Sequence, residues 1–100
     1  MATTLKQAKA VKADQGGYVM ILRSIGNPDF GQYAPVSDPA AVKGATLAAM
    51  RQAAQDYIEF WDLGGGNFVD PEVRDSKGAF VCTISYNGRL WDKSDKEILA

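Results

Sequence analysis

The chain has no histidine and a single cysteine among its 100 residues. The lack of histidine excludes imidazole acid–base catalysis, Ser-His-Asp triads and histidine-ligated metals. A single cysteine, Cys82, excludes an internal disulfide and a zinc site made of cysteines alone. We therefore expect a protein that is not an enzyme and that holds no metal and no cofactor.

Long apolar runs and a strong charge of either sign are also missing. No run approaches the roughly 20 apolar residues of a membrane span, and the N-terminus lacks the apolar core of a secretory signal. The 11 basic and 12 acidic residues leave a net charge of −1, which argues against a strongly basic nucleic-acid binder. These features predict a small cytoplasmic domain without membrane association.

Residues 1–17 form a separate N-terminal tail ahead of a single predicted domain, 18–100. The tail is rich in helix formers, and Lys6, Lys9 and Lys12 recur every three residues along it. A helix of this length is marginal by itself. The tail is therefore either disordered or a helix that docks on the domain or on a partner.

A nearly continuous apolar run at residues 18–25 predicts the first strand, and only Arg23 interrupts it. Such a run is typical of a central strand that is covered on both faces or by a partner. Turn formers then crowd residues 26–45. The alternatives for this stretch are a short edge strand, near 33–36 or near 40–43, and a helical turn capped by Asp38.

The clearest pattern in the sequence predicts a helix with Thr46 as its N-cap. The apolar residues that follow recur at the offsets of one helical stripe: Leu47, Met50, Ala54, Tyr57, Ile58 and Trp61. The opposite side is polar and includes Asp56 and Glu59. Phe60 lies off the stripe, so we expect it to be exposed, and Gly64 is expected to end the helix in a left-handed conformation.

Three further strands are expected to follow the helix as an antiparallel meander. The first spans residues 68–74 and contains Pro71, which places it at an edge or a bulge. The second spans residues 79–86 and alternates in polarity. Its side chains directed towards the helix are expected to be Phe80, Cys82 and Ile84.

The third strand, 89–91, returns after the pair Asn87-Gly88, which is typical of a type I′ turn with positive φ at both residues. After it, Ser94 and Glu97 fit a capping box for a terminal helical turn. The meander therefore ends at Trp91 in this interpretation, and a short helical segment closes the chain.

These elements predict an α+β fold, in which one main helix packs on one face of a small, mostly antiparallel sheet. The order is strand, loop, helix and three-stranded meander. The second face of the sheet would stay half open and carry apolar side chains. An open apolar face on so small a domain suggests a partner or a homodimer.

The final hairpin is the most distinctive candidate for recognition. Tyr86, Arg89 and Trp91 are residue types that anchor protein interfaces, and the arginine is placed to make cation–π contacts with both rings. The alternative is a hairpin that simply packs its aromatic side chains within the domain. We predict Tyr86, Arg89 and Trp91 as partner-binding residues.

Charged residues supply the remaining candidates. Between residues 55 and 75, six acidic side chains accompany the single basic residue Arg74. They form either a solvated face or a surface for a basic partner, with Asp56 and Glu59 on the helix. Arg23, alone in an apolar strand, either pairs with a neighbouring acid or marks an interface.

Three segments of the chain resemble a family of small uncharacterised bacterial proteins that are carried on plasmids and other mobile elements. They are ILRSIGNP at 21–28, YIEFWDLGGGN at 57–67 and ISYNGRLWD at 84–92, the last of which contains the SYNGRxWD-type hairpin. The resemblance spans most of residues 18–92. It implies no catalytic residues, and it implies an accessory role for mobile DNA in maintenance, regulation or the defeat of host defence.

The leading hypothesis from the sequence is a non-enzymatic binding protein that presents a rigid surface to a protein partner. An inhibitor of a host defence or nucleic-acid-handling complex is its concrete form. The alternative, which is less favoured, is a small dimeric nucleic-acid-binding or regulatory domain. It would use the open sheet face with Arg23, Arg89 and the lysines of the tail.

Overall fold

A computed structural model describes residues 16–99 of the chain. The prediction of a helical or disordered tail therefore lies almost entirely outside the described residues. The elements in chain order are β1 (Tyr18–Leu22), a short 3-10 turn (Pro28–Phe30), β2 (Ala40–Gly44), α1 (Leu47–Trp61), β3 (Glu72–Asp75), β4 (Phe80–Ile84), β5 (Leu90–Trp91) and β6 (Glu97–Ile98).

The six strands form one open antiparallel sheet in the order β2-β1-β3-β4-β5-β6. β1 is first in the chain but lies inside the sheet, between β2 and β3. It pairs with β2 along its whole length, from Tyr18 opposite Gly44 to Leu22 opposite Ala40. The helix α1 connects β2 to β3 and packs on one face. The predicted α+β class, with one helix on one face of an antiparallel sheet, is confirmed.

The hydrophobic core lies between α1 and the sheet. Its buried residues are Met20, Leu22, Met50, Ala54, Tyr57, Leu63, Phe68, Val73, Cys82, Ile84 and Leu90. Full burial of a large apolar side chain stabilises a fold by about 1.5–3 kcal/mol. Packing, rather than helix propensity alone, therefore holds α1 on the sheet.

The helix begins where the sequence predicts and ends two residues earlier than expected. The Thr46 Oγ1 accepts a hydrogen bond from the Ala49 N–H at 3.0 Å, as an N-cap does. At the other end Asp62, with φ of 52°, takes the left-handed conformation that we predicted for Gly64. Aspartate tolerates this conformation because its short polar side chain bonds locally. Phe60 is exposed, as predicted.

The strand predicted at 68–74 is shorter than expected and lies inside the sheet. It begins at Glu72, after Pro71, so the proline interrupts no ladder. The Pro71 carbonyl accepts a hydrogen bond from the Ile84 N–H at 3.3 Å. Phe68 forms only an isolated bridge with Ser24. The predicted edge position is therefore wrong, because β3 lies between β1 and β4. The alternative prediction, a bulge, agrees with the register shift at Val73/Arg74.

A register shift between β3 and β4 changes the position of Phe80. The pairing passes from Val73 opposite Cys82 to Arg74 opposite Phe80, which is the signature of a bulge. Cys82 and Ile84 are fully buried, as predicted. Phe80 is only partly buried and is not part of the core, so its predicted contact with the helix is wrong.

The last four strands are joined by three loops of the same geometry. In each loop a residue with left-handed φ donates its N–H to the carbonyl three residues earlier, at 2.9–3.0 Å. The donor and acceptor pairs are Gly78 with Asp75, Gly88 with Ser85 and Asp95 with Asp92. This is a type I turn followed by a left-handed residue. The predicted type I′ turn is wrong, because Asn87 is not among the residues with positive φ.

The chain ends in a strand rather than in the predicted helical turn. Glu97 starts β6 and pairs with Trp91, so the meander has four strands. The Asp92 carboxylate accepts the N–H groups of Lys96 and Ser94 at 3.0 and 2.8 Å. These two bonds lower the pKa of Asp92. The predicted capping box of Ser94 and Glu97 is therefore wrong.

Candidate interaction surface

Three connections meet at one end of the molecule, towards which β1, β4 and α1 all run. They are residues 23–39 between β1 and β2, residues 62–71 between α1 and β3, and residues 85–89 between β4 and β5. Hydrogen bonds join the first connection to the second, and the second to the third. We call this surface the loop end.

One side chain, that of Asn67, ties the first two connections together. Its Nδ2 donates to the Ile25 carbonyl and to the Gln32 Oε1, both at 3.0 Å. Its Oδ1 accepts from the Gly64 N–H at 3.2 Å. The main chain adds a bond from the Ile25 N–H to the Asn67 carbonyl at 2.8 Å. All polar atoms of the Asn67 side chain are therefore engaged.

The loop after β1 is also ordered by contacts of its own. The Asn27 Oδ1 accepts from the Asp29 N–H at 3.0 Å, and the Asn27 N–H donates to the Gln32 Oε1 at 3.2 Å. The chain then crosses over Gly26, where a Cβ would lie 2.6 Å from the carbonyl oxygens of Gln32 and Ala34. Only glycine permits this close approach.

A buried cluster of hydroxyl groups anchors the same loop to α1. The Ser37 Oγ lies 2.6 Å from the Ser24 Oγ and 2.7 Å from the Tyr57 hydroxyl. Tyr57 donates to the Asp38 carbonyl, and the Val36 N–H donates to Ser24. Burial raises the pKa of the Tyr57 phenol. The cluster satisfies its own buried polar groups, so we assign it a structural role.

The ordered loop end exposes large apolar side chains. The exposed fractions are 52% for Ile25, 79% for Phe30, 84% for Tyr33 and 41% for Tyr86. Scattered exposed apolar residues are ordinary, but several on one fixed surface are typical of an interaction site. Aromatic side chains held in place are frequent anchors of protein interfaces.

Tyr86, predicted from the hairpin, belongs to this surface and contacts the core residue Phe68. Its hydroxyl donates to the Leu63 carbonyl at 2.9 Å, and its ring meets the Phe68 ring edge-on at a centroid distance of 6.3 Å. The Gln55 Nε2 donates to the Tyr86 carbonyl at 3.3 Å. The hairpin tip is therefore docked on the C-terminal half of α1.

The other two predicted hairpin residues belong to the open sheet face. Trp91 pairs with Thr83, and its Nε1 donates to the Ser85 Oγ at 3.2 Å. Tyr86 turns instead towards the helix. Within residues 16–99 the exposed Arg89 makes no ring contact, so the proposed cation–π cluster is not formed there.

The remaining predicted residues divide between the same two surfaces. Arg23 is exposed on the open face and has no ion pair with a described residue. Asp56 and Glu59 are exposed on α1, where Asp56 accepts from the Gln52 Nε2 at 2.9 Å. The structure therefore places Asp56, Glu59 and Tyr86 on the helix and loop end, and Arg23, Arg89 and Trp91 on the open face.

Charge distinguishes the loop end from the rest of the molecule. The basic residues of the three connections are Arg23 and Arg89, and both side chains lie on the open sheet face. The acidic residues of the three connections are Asp29, Asp38, Asp62 and Asp70, and Asp56, Glu59 and Glu72 lie on the adjoining α1 and β3. The C-terminal end of the α1 dipole adds negative partial charge, and the last turn of the helix has no basic residue. This end is therefore negative although the chain is nearly neutral.

Cys82 does not contribute a reactive group. It is fully buried in the core, and burial raises the pKa of its thiol. A protonated, inaccessible thiol is a poor nucleophile. In the described part of the chain, no three His, Cys, Asp or Glu side chains come close enough to hold a metal ion.

The fold and its surface define a small α+β domain that displays aromatic side chains on an ordered loop end. No family model, curated protein or solved structure matches this chain. The structure between residues 16 and 99 contains no helix that is long and apolar enough to cross a membrane.

Proposed function

We propose that the protein is a non-enzymatic binding domain that recognises another protein through its loop end. The observation that carries this proposal is the exposure of Ile25, Phe30, Tyr33 and Tyr86 in connections that hydrogen bonds join at one end of the molecule. Hydrogen bonds through Asn67 hold the loop in one conformation. A pre-ordered aromatic surface loses little entropy on binding, which favours tight association.

The biological setting of the proposal comes from the sequence resemblance. A cytoplasmic accessory protein of a plasmid or phage, such as an inhibitor of a host defence or nucleic-acid-handling complex, would act by binding alone. Such a role needs no catalytic group, and the buried thiol of Cys82 is not suited to catalysis. The absence of histidine from the chain agrees with this role.

The double substitution Phe30→Ser with Tyr33→Ser tests the proposal. Tagged wild-type protein is expected to retain a stoichiometric protein partner from nuclease-treated lysate of the native host, identified by mass spectrometry. The double variant is expected to lower the affinity about 1000-fold, because two anchoring aromatics of an interface contribute about 2 kcal/mol each. Its folding should be unchanged, since both side chains are largely exposed.

The matched control is Leu99→Ser, which removes another highly exposed apolar side chain, 90% exposed, from outside the loop end. This variant should bind the partner like the wild type. Equal retention of the partner by the Phe30/Tyr33 variant would contradict the proposal. Equal loss of the partner by both variants would show that capture reflects exposed apolar surface in general.

A second candidate function is nucleic-acid binding, with or without dimerisation, through the open sheet face. The observation that favours it is the exposure of Arg23 and Arg89, whose guanidinium groups make no ion pair with a described residue. Binding of this kind would fall steeply with salt and would disappear with nuclease treatment. Arg23→Ala with Arg89→Ala would abolish it, whereas the Phe30/Tyr33 variant would retain it.

A further inference from the structure

We infer that the partner surface recognised by the loop end is a basic protein surface, in which lysine or arginine side chains surround apolar ones. This inference rests on the proposed function and names the chemistry of the partner at the same site. Two features of the loop end support it: the exposed aromatic side chains and the negative charge around them. Each feature independently restricts the chemistry of the partner surface.

The exposed rings set the first requirement. Phe30 and Tyr33 are the most exposed aromatic side chains of the loop end, and Ile25 lies beside the Asn67 bridge. Burial of these side chains is most favourable against a partner that itself offers apolar surface. A bare polyanion or polycation does not supply such a surface.

The charges set the second requirement. Asp29 directly precedes Phe30, and Asp62 follows the last turn of α1. Neither carboxylate has an ion pair with a residue in the range 16–99. A partner with Lys or Arg opposite these carboxylates gains Coulomb energy and a faster encounter. Phosphate groups of a nucleic acid would be repelled from the same place.

Two aspartates offer a matched pair of substitutions. Asp62 and Asp95 both have left-handed φ, of 52° and 58°, and both are exposed. Asn tolerates this backbone conformation as well as Asp does. Asp62→Asn therefore removes one charge at the loop end, and Asp95→Asn removes one charge in the β5–β6 loop, with equal effects on the backbone.

The experiment follows amide chemical shifts of the full chain by NMR during titration with two synthetic peptides. One alternates lysine with leucine around a central tryptophan, and the other carries glutamate in place of lysine. The lysine peptide is expected to bind and to shift the amides of residues 25–33 and 62–67. Asp62→Asn should weaken this binding about two- to threefold, and Asp95→Asn should leave it unchanged.

Several results would overturn the inference. They are failure of the lysine peptide to shift the loop-end amides, equal binding of both peptides, and equal effects of the two asparagine variants. Binding of a single-stranded DNA 15-mer at the loop end would also overturn it. The proposed function is tested separately by the Phe30/Tyr33 variant. If this variant still loses the captured protein, the proposed function survives these results. If the variant retains the captured protein, the proposed function fails.

Discussion

Leu22→Ala is expected to lower the free energy of unfolding by about 3 kcal/mol, as large-to-small substitutions in a core do. Leu22 is fully buried on the face of β1 that packs against α1. Ile21, its neighbour, points to the open face and is only partly buried. Ile21→Ala is therefore expected to cost about 1 kcal/mol or less, in proportion to the smaller area removed from water.

Urea denaturation of the two variants measures this difference directly, with the m-value as a check that the unfolding transition is the same. Equal losses of stability for Leu22→Ala and Ile21→Ala would contradict the one-sided core. The open face would then be packed in solution as tightly as the helix face. A dependence of the unfolding midpoint on protein concentration would show that a second copy of the chain packs on the open sheet face.

Asn67→Asp is expected to lower the free energy of unfolding by about 2 kcal/mol, because two hydrogen bonds worth about 1 kcal/mol each are lost. The carboxylate keeps the shape of the side chain and still accepts from the Gly64 N–H. It cannot donate to the Ile25 carbonyl or to the Gln32 Oε1, and it places negative charge against both oxygens. The loop after β1 should then detach from the rest of the loop end.

Hydrogen exchange reports the detachment. The Asn27 N–H, which donates to Gln32, should lose about tenfold or more of its protection as local opening becomes easier. The control is Asn87→Asp at the exposed hairpin tip, where the Oδ1 only accepts from the Ser85 hydroxyl. That variant should stay within about 0.5 kcal/mol of the wild type. Similar behaviour of the two variants would show that Asn67 does not fix the loop.

The elements that the sequence predicts well are those with local signals. The start and the buried face of α1 follow from the N-cap Thr46 and from a helical stripe, which lie within one stretch of chain. The sequence leaves β2 as one of several alternatives, because its pairing with β1 spans about twenty residues. The capping box of Ser94 and Glu97 is also a local signal, and it misleads, since Ile98 pairs with Leu90 and becomes part of the sheet.

The surface could be predicted only in part, for a related reason. Tyr86, Asp56 and Glu59 were found from residue type and from helical periodicity. Phe30 and Tyr33 lie among turn formers, where no periodicity distinguishes a fixed loop from a mobile one. The contact that fixes this loop joins Asn67 to a residue 42 positions earlier in the chain, and such a contact leaves no pattern in the sequence.

Site-specific photo-crosslinking shows directly whether a protein partner contacts the loop end. A benzophenone amino acid is placed at position 33 in one sample and at position 77, in the β3–β4 loop, in another. After irradiation in nuclease-treated lysate of the native host, position 33 is expected to give a discrete protein adduct and position 77 none. Adducts at both positions 33 and 77 would contradict recognition through the loop end. So would a third sample, with the benzophenone at position 89 on the open face, that gives an adduct when position 33 gives none.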